Sequence, residues 1–299
     1  MGKIAFLFSG QGDQYSGMGK DLYERYPTFA RIFDICDGLR PKTKEMCFSG
    51  SEDELKETSN TQPCLFAYEI ASAELLKEKG VVPASCAGFS LGEVSACTFS
   101  GIFDLETGFK LVTQRGIFMS DASKKVDASM MAVVRLTEEK LSEICKNFNN
   151  VYPVNFNCPG QITVSGLAEE MDSFAVAVKE AGGRALPLKV KGGFHSPFMK
   201  EASQKFLTQL NEAEVSAPRI PVYSNLTATP YDEKVKELLS SQICNSVKWE
   251  KTIRNMIEDG TDTFIEIGPG KTLTNMMSRI STEVKAYSFV DYLSEVEKC

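Results

Sequence analysis

The chain has almost no histidine: one imidazole, His195, in 299 residues. Chemistry that needs a side chain titrating near neutrality therefore falls to that residue, in the loop "GGFHSPFM" (192–199). CxxC pairs are absent too. The nine cysteines (36, 47, 64, 86, 97, 145, 158, 244 and 299) are scattered and odd in number, which argues against a disulfide framework and suggests no zinc site. Thiols spread in this way fit a reduced, cytoplasmic compartment. Long apolar runs are missing as well. The opening "MGKIAFLFSGQGDQ" has five apolar residues in its run, too few for a signal-peptide core or a membrane span. Phe6 stands where a myristoylation pattern needs Ser or Thr. Positive charge is not in excess: the net charge of −7 argues against non-specific nucleic-acid binding, though an acidic partner could dock on a local basic patch.

What is present reads as an ordinary globular composition, 42% hydrophobic and 24% charged, long enough for one large domain with a smaller companion. "KIAFLF" has the character of a buried strand running into the turn-rich "SGQGDQYSGMG". Helical periodicity follows around 20–37 and 63–79, then a short apolar stretch, "SCAGFS", meets the small-residue helix "LGEVSACTFSG". Asp104 opens a further helix with Leu105, Phe109, Val112 and Met119 on one face. Strands alternating with helices indicate an α/β fold with a mainly parallel sheet.

The rhythm then changes. "MMAVVRL" is a strand, and "TEEKLSEICKNF" a helix capped by Thr137, with Lys140 where a capping box would have Glu or Gln. "VYPVNFN" and "QITVSGL" are strands joined by "CPG"; "AEEMDSFAVAVKEAG" is a helix and "RALPLKV" a last strand. This β-α-β-β-α-β order is a ferredoxin-like signature, so residues 125–191 are expected to form a small domain inserted into a large one made of 1–124 and 192–299. Helices are expected near 199–213, 231–243, 247–259 and from 271, strands at "PVYSN" and "TFIEIG", and an edge strand at "AYSFV".

"GFSLG" (88–92) fits G-x-S-x-G at a strand-to-helix junction, where a serine is pushed to the sheet edge and the next backbone N–H, that of Leu91, can face a developing oxyanion. The bland alternative is a tight turn whose Ser90 merely caps the helix. A serine needs a base, and His195 is the one imidazole available. No Asp or Glu motif offers itself as a third member; a backbone carbonyl could orient the ring instead.

"FSGQGDQ", "GFSLGE", "QRGIFM", "GGFHSPFM" and "FIEIGPGKTL" occur in that order. Together they resemble the malonyl-CoA:acyl carrier protein transacylases and the acyltransferase domains of polyketide synthases, over residues 3–290. The resemblance implies an α/β-hydrolase-like core with a ferredoxin-like insertion before the histidine. It implies a ping-pong mechanism through a serine acyl-enzyme, serving fatty-acid or polyketide synthesis, with no cofactor or metal. Partners would be malonyl-CoA and an acyl carrier protein bearing phosphopantetheine, and the enzyme a monomer.

By position, Ser90 is then the nucleophile and His195 its base. The N–H groups of Gln11 and Leu91 form the oxyanion hole, and Arg115 holds the malonyl carboxylate, a task its planar fork suits. The Gln242 main-chain carbonyl orients the histidine. Phe89, Phe194, Asn157 and Asn225 line the pocket, and a bulky Phe194 before the histidine goes with malonyl. Phe89 replaces a common histidine, Ser9 a frequent proline and Gly193 an alanine of the family pattern. Lys189, Lys191 and Lys200, with Arg184 nearby, are expected to dock the acidic carrier. For Arg115 the rival role is a structural salt bridge with Glu93. The rival functions are a serine esterase or thioesterase using the same pair, and a non-catalytic carrier-binding scaffold.

Overall fold

A computed structural model describes residues 2–190 and 192–298. The first half runs β1 (Lys3–Phe8), α1 (Lys20–Arg25), α2 (Pro27–Leu39), α3 (Thr43–Ser49), α4 (Glu52–Lys56), α5 (Thr58–Glu78), β2 (Ser85–Gly88), α6 (Gly92–Phe99) and α7 (Leu105–Ser123). Next come β3 (Ala128–Val134), α8 (Glu138–Cys145), β4 (Val151–Cys158), β5 (Gln161–Leu167), α9 (Ala168–Glu180) and β6 (Arg184–Pro187). The last third holds α10 (Lys200–Glu212), β7 (Val222–Tyr223), α11 (Val235–Ser241), α12 (Trp249–Glu258), β8 (Thr261–Ile267), α13 (Thr272–Ile280), β9 (Lys285–Ser288) and α14 (Phe289–Val296). No helix among the described residues is long and apolar enough to cross a membrane.

The fold is mixed α/β with two sheets. One is parallel, in the order β7-β2-β1-β8-β9; the other is antiparallel, in the order β4-β5-β3-β6. β1 and β2 lie at the centre of the parallel sheet and end in register, Phe8 opposite Gly88. Their following loops, carrying Gln11 and Ser90, therefore leave the carboxyl edge side by side, where ligands of open α/β sheets bind. The antiparallel sheet is tied to the segment ahead of α12 by Phe156 N–H donating to the Val247 carbonyl (2.9 Å) and Val247 N–H to that of Val154 (2.8 Å).

The periodicity around 20–37 resolves into two helices. Pro27 starts α2, and Tyr26 before it is extended at φ −121°, as the steric demand of a following proline requires. α5 begins at Thr58, ahead of its apolar run, and is buried on all sides, which hides its amphipathic signal. The short helices α3 and α4 are additions, although Ser51 and Glu54 form a full capping box. At the C-terminus "AYSFV" divides: β9 ends at Ser288, whose hydroxyl accepts from Asp291 N–H and starts α14. Phe289 and Val290 are helical, not strand.

Candidate active site

The elbow is built by close approach of backbones. A Cβ at Gly88 would lie 1.9 Å from the carbonyl carbon of Gly92, and one at Gly92 would lie 2.4 Å from the carbonyl oxygens of Phe8 and Ser9. Glycine at both positions lets β2 turn straight into α6, and the turn holds Ser90 at φ +56°, a strained value for a side chain. The hydroxyl does not cap α6, which has no side-chain cap. It faces outward instead: Ser90 Oγ is 2.7 Å from His195 Nε2 and accepts from Arg115 Nη2 at 3.2 Å.

His195 also sits in the left-handed region, at φ +60°, and its N–H donates to the Ile243 carbonyl at 3.2 Å. Its Nδ1 is 2.8 Å from the main-chain oxygen of Gln242. Nδ1 then carries the proton, and Nε2 turns a lone pair toward Ser90. Burial, seconded by the Arg115 charge, pushes the imidazole down to about 4, against the pull of its backbone hydrogen bonds. The ring is thus neutral at neutral pH and able to take the hydroxyl proton.

Arg115 projects from α7 and is fully buried. Nη1 donates to Gln62 Oε1 at 2.9 Å and Nη2 to Gln242 Oε1 at 2.8 Å, while Nε has no partner among the described residues. Burial brings its pKa down to about 10, opposed by the charge of Glu93. Arg115 and Glu93 form no ion pair: the Gln242 side chain stands between them, its Nε2 donating to Glu93 Oε2 at 2.7 Å. A guanidinium held by neutral amides beside the Ser90 hydroxyl has no ion-pair partner among the described residues.

Gln11 and Leu91 lie on the loop after β1 and at the head of α6. Their N–H groups make no hydrogen bond among the described residues, and the Gln11 side chain donates to Thr58 Oγ1 at 3.2 Å. Asn225 is buried against the elbow, accepting Ser90 N–H at 2.8 Å and donating to the Gly88 carbonyl at 2.6 Å. Asn157, on β4, donates to Thr163 Oγ1 at 3.2 Å. Phe89 packs edge-on against Trp249, centroids 5.4 Å apart. Phe194 is buried and borders a 640 Å³ cavity also lined by Gln11, Thr58, Lys56, Lys124 and Lys189. Lys200 is exposed at the start of α10 and Arg184 on β6; Lys191 lies outside the described residues. An 830 Å³ cavity between α8 and α12 contains none of these site residues.

Two participants escaped the sequence reading, Gln62 as an acceptor for Arg115 and Tyr231 as a donor to Glu93; Glu93, read there only as a rival partner for Arg115, accepts from several groups. The phrase "GFSLGE" contains Glu93, but nothing local marks a carboxylate for full burial.

A serine on a strained elbow, an imidazole in contact and a buried guanidinium beside them can form and hold an acyl ester. The fold and these contacts are those on which serine-based acyl transfer can be built. A family model described as "Acyl transferase domain" matches residues 5–295, and the chain belongs to that family. It is 39% identical to a malonyl CoA-acyl carrier protein transacylase of Bacillus subtilis, across 97% of this chain and 94% of the relative. It superimposes on the crystal structure of MCAT from Streptococcus pneumoniae with a TM-score of 0.94 at 35% identity, covering 99% of this chain and 100% of that one. A type II PKS acyl-carrier protein in complex with its malonyl-transacylase gives a TM-score of 0.95 at 32% identity, covering 99% and 100%.

Proposed function

We propose that the chain transfers a malonyl group from malonyl-CoA to the phosphopantetheine thiol of an acyl carrier protein. The observation that carries this reading is the buried Arg115 guanidinium, without an ion pair, 3.2 Å from the Ser90 hydroxyl. A malonyl ester on Oγ places its free carboxylate two bonds beyond the ester carbon, within reach of that guanidinium. The carboxylate supplies the missing countercharge.

In the first half-reaction His195 Nε2 takes the Oγ proton as Ser90 attacks the thioester carbonyl. The oxyanion is received by the N–H groups of Leu91 and Gln11. The CoA thiolate leaves and takes the proton from His195. In the second, His195 takes the proton of the phosphopantetheine thiol, whose sulfur attacks the malonyl ester; the proton returns to Ser90. The Gln242 carbonyl holds the imidazole in its tautomer throughout. Phe194 crowds the acyl α-carbon, which should disfavour a methyl branch by about 1–3 kcal/mol. Phe89, Asn157 and Asn225 shape the wall.

The parallel sheet and its helices are read as an α/β-hydrolase-like catalytic domain, residues 1–124 and 192–299. Residues 125–191 form a ferredoxin-like domain, supported by the β4-β5-β3-β6 order. Carrier protein docks at the mouth near Lys189 and Lys200, with Lys191 assigned by sequence alone. The enzyme is assigned as a cytoplasmic monomer that needs no cofactor, nucleic acid or membrane. Initial rates with malonyl-CoA and carrier protein both varied should give parallel double-reciprocal lines and malonylated carrier. Free malonate as the main product, whatever the carrier concentration, would instead assign a thioesterase.

A further inference from the structure

Glu93 is the second residue of α6, three positions after the nucleophile, and is fully buried. Its carboxylate accepts three hydrogen bonds: from Asn225 N–H at 2.9 Å, Tyr231 Oη at 2.5 Å and Gln242 Nε2 at 2.7 Å. Two of these donors belong to the residues that bind the backbone of Ser90. Asn225 Oδ1 accepts Ser90 N–H at 2.8 Å, and Gln242 Nε2 donates to the Ser90 carbonyl at 2.7 Å. Glu93 thus lies behind both ends of the strained elbow without touching the hydroxyl.

The Gln242 amide is the informative member. Its NH₂ meets two acceptors, the Ser90 carbonyl and Glu93 Oε2, which leaves Oε1 toward Arg115 Nη2 at 2.8 Å. Turned over, the amide would set a carbonyl against the Glu93 carboxylate and an NH₂ against the guanidinium. Both contacts would become repulsive, and all three side chains are fully buried. Burial raises the Glu93 carboxyl to about 7; its ionised form, together with the Ser90 carbonyl, therefore favours the orientation in which Gln242 turns Oε1 toward Arg115.

We propose that Glu93 is a positioning residue for acyl-group selection: by fixing the Gln242 amide it aims the Arg115 guanidinium, and so favours dicarboxylic over monocarboxylic acyl groups. This rests on the acyl-transfer reading above. Glu93→Gln keeps the shape: its carbonyl stays with the Asn225 N–H and the Tyr231 hydroxyl, its NH₂ then faces the Gln242 NH₂, so Gln242 turns and Arg115 loses its acceptor.

The test measures acylation of Ser90 by malonyl-CoA and by acetyl-CoA in the wild type, Glu93→Gln, Gln242→Met and the double variant, with thermal unfolding for each. The proposal expects the malonyl-to-acetyl ratio of kcat/KM to fall roughly tenfold or more in Glu93→Gln. The double variant should lose little beyond the larger single loss, because both act through one amide. A purely structural role would lower both substrates together and leave the ratio unchanged, which overturns the proposal. Should Glu93→Gln not fold, Tyr231→Phe removes one donor to the same carboxylate. A smaller ratio drop, again non-additive with Gln242→Met, is expected there, and no change in ratio refutes it. A wild type that forms no malonyl-enzyme would overturn the underlying acyl-transfer reading; an unchanged ratio in an active set overturns the role of Glu93 alone.

Discussion

His195 Nδ1 and the main-chain oxygen of Gln242 stand 2.8 Å apart. The imidazole is oriented by a neutral carbonyl, so no carboxylate raises its pKa, and burial brings it to about 4 from an ordinary 6.5. The acid limb that belongs to His195 in kcat/KM for acylation should therefore lie near pH 4, well below any limb from Glu93, which burial raises to about 7. The sign for stability is the same. Between about 6.5 and 4 the unfolded chain takes a proton that folded His195 refuses, so this group's contribution is lost as pH falls. An acid limb near 6.5 that persists in Glu93→Gln would contradict the assigned environment of His195.

No second imidazole can replace the first. His195→Ala is expected to lower acylation by about a thousandfold or more while the thermal unfolding temperature stays within a few degrees. Near-normal turnover in the folded variant would remove His195 from the mechanism.

Arg115 couples selectivity to stability in opposite directions. Arg115→Met removes the guanidinium but fills the same fully buried space, including that of the unpartnered Nε. Malonyl-CoA acylation should fall by roughly a hundredfold or more, with much less loss for acetyl-CoA, while the unfolding temperature does not drop. Parallel loss for both substrates would give Arg115 a structural role.

The two elbow glycines have no room to change. Gly92→Ala places a methyl 2.4 Å from two backbone oxygens and should cost about 3 kcal/mol or more, measured by denaturant unfolding. Gly12, at φ +131° with open space around its Cβ position, should tolerate alanine at a cost of about 1–2 kcal/mol. Equal effects would mean that the backbones at the elbow are not so close.

Lys189 is exposed and lines the cavity beside Gln11 and Phe194. Lys189→Glu should raise the KM for carrier protein several-fold, more at low salt, with KM for malonyl-CoA little changed. An unchanged carrier KM would move the docking surface elsewhere.

Much of this arrangement was legible before the structure. Gly88 and Gly92 announced the turn because only glycine survives such close approach, and the single imidazole left one candidate partner for Ser90, whose hydroxyl lies 2.7 Å from it. The alternation of elements through 125–191 exposed the antiparallel unit. What the sequence hid was set by distant packing. Burial of α5 on all sides left no amphipathic stripe, and Ser288 diverted an apolar run into α14 through one hydroxyl. Gln62 and Tyr231 reach the site from elements 28 residues before and 141 residues after Ser90, where no local pattern signals them. The rival Arg115–Glu93 pair is absent for a similar reason, since Gln242, from a third segment, occupies the space between.

The most direct test is intact-protein mass spectrometry after brief mixing with malonyl-CoA and no carrier protein, beside Ser90→Ala and parallel samples with acetyl-CoA and methylmalonyl-CoA. One malonyl adduct is expected on the wild type, none on Ser90→Ala, and little from the other two thioesters. Absence of any adduct while free CoA accumulates, or an adduct that persists in Ser90→Ala, would contradict the acyl-enzyme reading.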